Sequence, residues 1–273
     1  MAHRTDLAIE FEKIEKHAQE VFSVGEIEVI FHDLPENNDY GKPKGKYATI
    51  KMGKIDFLTD FTDVENALIL TLQKMLDVTD DFLIVGLGNN EIISDCVGPF
   101  TSQKIVATRH IKGDFAEKIG LKNLKSVAVV TPNVLGKTGI EASDTVKALV
   151  QKIKPKAVIV VDALCANNID NLFSVIQLSN SGISPGSGVQ NARKELSPIT
   201  LGVPTVAIGV PTVIEAKTLT EKYCNTQLSG SENMLLTPKE TDLLSHKVSE
   251  ILSKSLNQFL QPQIDKDIIL SLV

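Results

Sequence analysis

Four short apolar runs punctuate the chain: FLIV (Phe82 to Val85), VAVV (Val127 to Val130), AVIVV (Ala157 to Val161) and TVAIGV (Thr205 to Val210). Strands that are apolar on both faces belong in a sheet covered on both sides, which is the signature of buried parallel strands. Between the first three runs the spacing turns helical, predicting helices from about Pro99 to Ile111 and from Glu141 to Ile153. Ser143, or Thr138 with Gly139, is the expected entry to the second of these. Strand and helix in alternation mean right-handed crossovers and a mainly parallel sheet, hence an α/β fold.

The flanks of this core read differently. EIEVIF (Glu26 to Phe31) and YATIKM (Tyr47 to Met52) are β-like and separated by the turn-forming LPENNDYGKPKGK, so N-terminal β additions are expected. A helical stretch then runs from Asp63, read as its cap, with Val64, Leu68, Leu72 and Leu76 on one face. FSVIQLS (Phe173 to Ser179) reads as another strand, and residues 237–260 as an amphipathic C-terminal helix entered through Thr237 and Pro238. Residues 1–273 are expected to make one domain with terminal additions.

Bulk composition narrows the classes of function. No apolar run approaches the roughly 20 residues that span a bilayer, and charges interrupt the N-terminus MAHRTDLAIEFEK too often for a secretory signal. A net charge of −6 with 5% aromatic residues gives no basic footprint and few stacking platforms for nucleic acid. Neither a membrane nor a nucleic acid is an expected partner. Three cysteines, Cys96, Cys165 and Cys224, without CxxC spacing fit a reducing compartment.

Two carboxylates carry the expected chemistry. Asp95 follows the glycine turn after the first core strand, in FLIVGLGNNEIISDCVGP, and Asp162 ends the apolar run of KAVIVVDALCA. In open α/β sheets ligands bind beyond the carboxyl ends of the strands, so both aspartates are aimed at one crevice. Two carboxylates held close share a proton, and one then serves as acid while the other activates water. Each aspartate taken singly also suits a helix cap.

Other readings of the same segments are weaker. Gly86-Leu87-Gly88-Asn89 lacks the third glycine of a dinucleotide fingerprint, with Glu91 in its place, and suits a turn whose backbone approaches a peptide. Asp95, Asp162 and His110 are a conceivable metal set, yet there is no HExxH and the histidines are scattered, so no metal or other cofactor is expected. Cys96 and Cys165 adjoin the aspartates without an identifiable histidine partner, which favours packing over nucleophilic roles. The long segment NSGISPGSGVQNARKELSPITLGVP shows neither period and reads either as a surface loop or as a substrate-binding loop. Substrate-binding candidates are therefore Asn89 in the turn and Gly186, Gly188, Arg193 and Lys194 in the loop.

Several longer stretches carry a family resemblance. LIVGLGN with DCVGP, TPNVLGKTGIEASD, VIVVDALCA, QLSNSGISPGSGVQNARKELSPITLGVPTVAIGVPTV, RTDLAIE and LLTPKETD resemble the spore germination proteases that degrade small acid-soluble spore proteins. The resemblance implies a three-layer αβα fold like that of hydrogenase maturation peptidases, a homotetramer in the spore-core cytoplasm, and Asp95 and Asp162 as the catalytic aspartates. It further implies cleavage after an acidic residue and before a hydrophobic one followed by alanine. Asp6-Leu7-Ala8 fits that pattern, which makes residues 1–6 a short propeptide removed by the protein itself. Arg193, Lys194 or Arg109 is expected to pair with the acidic residue before the cut bond. Family members have a longer leader and a long insertion between the segments matching VPTVIEA and LLTPKETD, both short here. A metal-dependent peptidase and a non-catalytic binding protein are the alternative functions.

Overall fold

Among the described residues nine strands join in one sheet, in the spatial order β1-β2-β3-β7-β8-β6-β4-β5, with the two-residue β9 paired to β8. The computed structural model describes residues 5–11, 14, 18–77, 80–111, 124–184, 194–224 and 234–264. Its strands are β1 (Ala18–Val24), β2 (Ile27–Leu34), β3 (Gly45–Lys51), β4 (Phe82–Gly86), β5 (Val127–Val130), β6 (Ala157–Ala166), β7 (Val175–Ser179), β8 (Thr205–Glu215) and β9 (Leu235–Leu236). Its helices are α1 (Thr62–Met75), α2 (Val97–Gln103), α3 (Leu135–Thr138), α4 (Ala142–Ile153), α5 (Pro198–Leu201), α6 (Ala216–Cys224) and α7 (Thr241–Leu260).

The core is parallel, as the alternating pattern requires: β5, β4, β6 and β8 pair in parallel ladders. β7 runs antiparallel to β8 and joins the hairpin strands β3, β2 and β1, so the sheet is mixed. β1 was not foreseen, because AQEVFSV is mostly exposed and polar residues interrupt its apolar alternation.

Helices cover both faces, giving three layers. On one face Val64, Leu68 and Leu72 of α1, and Val248, Leu252 and Leu256 of α7, pack with Ile84, Ile159 and Ile208 of the sheet. On the other, Val146 and Val150 of α4 pack with Leu83, Val85, Val158 and Val160. Alternation along β6 thus sends Ile159 and Val161 to the first face and Val158 and Val160 to the second.

Several element ends differ from the sequence reading. α1 begins at Thr62, and Asp60 rather than Asp63 supplies the entry: its carboxylate accepts from the Thr62 N–H at 2.9 Å and hydroxyl at 2.7 Å. α2 stops at Gln103, well short of Ile111. There Asn257 of α7 intercepts the chain, donating to the Lys104 carbonyl at 2.8 Å and accepting from the Val106 N–H at 3.0 Å. α4 has Glu141 as its cap residue, without a side-chain capping bond, and α7 starts at Thr241, after Thr237 and Pro238. β6 and β8 both run about five residues past the apolar runs that announced them. Their extensions pair with each other as far as Ala166 and Ile214, with an irregularity at Leu164 and Cys165.

Candidate active site

The site grows from the place where β4 ends and its neighbour continues. Gly86 is the last residue of β4 and pairs with Val161; the next N–H, of Leu87, donates to the Val161 carbonyl at 2.8 Å. Then the chain turns away, leaving β6 to run on beside β8 alone. Asp162 is the first residue past that divergence, so it lies within a continuous strand rather than at a strand end. The sequence suggested an end because the apolar run stops there.

The departing loop folds back so that Asp95 returns to the same spot. Gly88, at φ +116°, passes under the Asp95 backbone, where a Cβ would meet the Asp95 carbonyl oxygen at 2.0 Å. The Asn89 N–H donates both to that carbonyl and to the Asp95 carboxylate Oδ2, each at 3.0 Å. A short 3-10 turn, Ile93–Asp95, then leads into α2. It is anchored from two other elements: Thr212 of β8 donates to the Ser94 carbonyl at 2.6 Å, and Ser245 of α7 to the Ile93 carbonyl at 3.1 Å.

Gly98 closes the arrangement. A Cβ on it would sit 2.1 Å from the Leu87 carbonyl oxygen and 2.5 Å from that of Val161, so only glycine lets the first turn of α2 rest on both strands. Asp95 precedes this contact by three residues and Asp162 follows Val161 directly. One backbone junction therefore lies within three residues of both aspartates. Asp162 is buried, and its Oδ1 accepts from the Ala163 N–H at 2.9 Å. By alternation it shares the second face of the sheet with Val160 and Leu164, while α2 packs on the first.

The N-terminal segment is docked along the same face, which sequence reasoning did not foresee. Asp6 bonds to Cys165 of β6 twice, N–H to carbonyl at 3.0 Å and carboxylate Oδ2 to N–H at 2.9 Å. Gln177 of β7 brackets Leu7: its amide donates to the Asp6 carbonyl at 2.8 Å and accepts from the Ala8 N–H. Leu7 is fully buried against Leu164, Ala166 and Val175, a burial worth ~1.5–3 kcal/mol. Glu10 ties down the end by accepting from the Asn167 and Asn168 N–H groups at 2.7 and 2.9 Å. Gln177 shares a cross-strand row with Gly209, which in turn pairs with Asp162. A buried glutamine in a strand otherwise apolar was the available signal for this clamp.

The remaining candidates divide. The Asn89 side chain accepts from the Glu91 N–H at 3.0 Å and so shapes the loop from within. Lys194 is exposed and bonds both carboxylate oxygens of Asp144 on α4, at 2.9 and 3.0 Å. Gly186, Gly188 and Arg193 lie outside the described residues. The flanks of their segment are more ordered than the sequence suggested: Ile183 and Leu196 form a two-bond bridge, and a Ser197–Thr200 capping box starts α5. Arg109 is misplaced for substrate. Its N–H bonds to Val127, the first residue of β5, and its guanidinium to Asp81, ahead of β4, so it lies at the opposite end of the sheet. His110, next to it, is equally remote from the aspartates. Among the described residues no three His, Cys, Asp or Glu side chains group as metal ligands, and no helix is long and apolar enough to cross a membrane.

A model of the germination protease family matches residues 3–229. The germination protease of Clostridium tetani is 39% identical over 235 residues, covering 80% of this chain and 72% of that protein. That of Oceanobacillus iheyensis is 40% identical over 242 residues, covering 80% and 65%. Among solved structures, a NiFe hydrogenase maturation protease HycI from Thermococcus kodakarensis aligns with 70% of this chain and 99% of its own at 15% identity and a TM-score of 0.42.

The two thiols beside the aspartates are held in their protonated form. Burial, foremost, raises Cys96 from 9.0 to about 11 and Cys165 from 9.0 to about 12. An unfolded chain releases these protons near pH 9 and the folded one only near 11 and 12. The pair therefore supports the fold below pH 9, and that support is lost as pH rises through the window. In native protein at pH 8 a thiol reagent should modify exposed Cys224 rapidly and the other two only after denaturation. Rapid native modification of Cys96 or Cys165, followed by peptide mass mapping, would contradict this.

Proposed function

Since the chain belongs to the germination protease family, we propose that it is an aspartic-type endopeptidase in which Asp95 and Asp162 activate water. The observation that carries this reading is the junction of Leu87, Val161 and Gly98, from which both carboxylates are set within a few residues. One carboxylate takes a proton from water as the oxygen attacks the peptide carbonyl. The other, protonated, delivers its proton to the departing amine. Gln177 has the geometry to polarise a peptide carbonyl, since its amide already donates to that of Asp6.

Within this proposal the substrates are small acid-soluble spore proteins of the spore core, cut after an acidic residue. The peptidase occupies one domain and assembles as a homotetramer. Asp6-Leu7 is its own processing bond. Support for that last point comes from the docking of Asp6, Leu7 and Ala8 on the Asp162 face, with the carbonyl of the bond between Asp6 and Leu7 accepting from Gln177.

Replacing either aspartate by asparagine should lower cleavage of an acidic spore-protein peptide by at least about a thousandfold, the scale expected when a group acting in water activation is removed, while thermal unfolding stays cooperative. Appreciable turnover by Asp162→Asn would sink the assignment. Mass spectrometry of the intact chain during incubation at mildly acidic pH should show loss of residues 1–6 from the unsubstituted protein and not from Asp162→Asn. An N-terminus that stays whole in an enzyme active on peptide would refute self-processing.

A further inference from the structure

A cavity of about 170 Å³ opens on the Asp162 face of the sheet, one strand over from Asp162 itself. Its floor is made by the paired residues Ser179 with Ala207 and Gln177 with Gly209, the last being the cross-strand neighbour of Asp162. Three charged side chains line it, Lys42, Asp6 and Glu195.

Lys42 is set into this cavity by its backbone. Asn38 donates one amide to the Lys42 carbonyl at 2.9 Å and another bond to Pro35 at 2.8 Å, while the Tyr47 hydroxyl donates to the Pro43 carbonyl at 2.8 Å. The loop is thereby fixed on both sides of the lysine, which limits the entropy lost when the side chain engages a ligand. Its Nζ lies 5.8 Å from the centre of the Phe11 ring, a favourable place for a cation. Burial draws the Lys42 pKa below its ordinary value, and the Asp6 charge acts in the opposite direction. Glu195 also lines the cavity, but it acts on Tyr47, whose phenol burial raises and Glu195 raises further. Asp6 is the acid that shares the cavity with Lys42 and whose charge acts on it.

The surroundings of Asp6 resemble those a bound peptide needs. Gln177 holds main-chain groups on both sides of Leu7, Leu7 fills an apolar socket, and Ala8 is fully buried among Ile14, Leu34 and Tyr47. We propose that Lys42 reads the acidic side chain that precedes the bond to be cut, and that Asp6 is the occupant it now holds. The ligand class is an extended peptide with an acidic residue followed by an apolar and then a small one. This inference rests on the peptidase reading and moves the acid-reading role to Lys42 from Arg109, Arg193 and Lys194.

The test uses the full-length Asp162→Asn protein and two fluorescein-labelled dodecapeptides, one containing Glu-Leu-Ala and the other Gln-Leu-Ala. Polarisation titrations should show the Glu peptide bound about tenfold more tightly, as a charge-assisted contact predicts. Adding Lys42→Gln should bring that ratio to about one, and adding Lys42→Glu should make a Lys-Leu-Ala peptide the preferred ligand, a gain that misfolding does not produce. Adding Asp6→Asn should tighten Glu-peptide binding about three- to tenfold by weakening the internal competitor, and this gain should vanish with Lys42→Gln. A Glu preference that survives Lys42→Gln, or no binding of either peptide, overturns the proposal. The binding arms need no turnover, so failure of the peptidase reading appears separately, as absence of cleavage by the unsubstituted chain.

Discussion

The seat of the first turn of α2 on the ends of two parallel strands governs the rest of the site. Gly98 rests against the carbonyl oxygens of Leu87 and Val161, at a range that no side chain permits. Around this contact β4 leaves the sheet, β6 continues, and the loop carrying Asp95 is drawn back beside the strand carrying Asp162. A parallel sheet supplies the crevice by its topology. The glycines at 88 and 98 let backbone fill that crevice closely enough to set two acids from one point. Anchors from β8 and α7 hold the intervening turn, so its geometry is fixed by three elements rather than by the loop alone.

The same extension of β6 and β8 creates the face on which peptide binding is proposed. Beyond β4, the two strands and β7 present Leu164, Ala166, Val175 and Gln177 on one side, and the N-terminal segment covers them. Polar groups here are spent on main-chain recognition: Gln177 on the peptide groups either side of Leu7, Asp6 on Cys165, Glu10 on successive N–H groups. Main-chain contacts of this kind give affinity without sequence selectivity, which is left to the apolar socket and the charged cavity beside it.

Much of this was legible in the chain. FLIV and VAVV mark β4 and β5 almost to the residue: β4 is buried at every position and so apolar throughout, and the edge strand β5 is buried at Val127 and half-buried beyond it. Asp162 stood out for ending such a run, yet the run ends without the strand ending, since pairing with β8 outlasts the apolar composition. Asn257 ends α2 from far along the chain, a tertiary interception that local periodicity does not encode. Arg109 fitted an acid-reading role by charge alone; its ladder bond to Val127 assigns it to the other end of the sheet. Lys42 sat unremarked in a turn-rich stretch, because its significance comes from Asp6, which only the fold brings near.

Whether one backbone junction sets the reactive geometry can be read from Gly98→Ala. Steady-state cleavage of an acidic peptide would be measured alongside the folded fraction from circular dichroism of the same sample. The account predicts that kcat per folded molecule falls about a hundredfold, as displacement of a catalytic group by about 1 Å does, because the added methyl pushes α2 and Asp95 away from Asp162. An unchanged kcat in folded Gly98→Ala protein would contradict it.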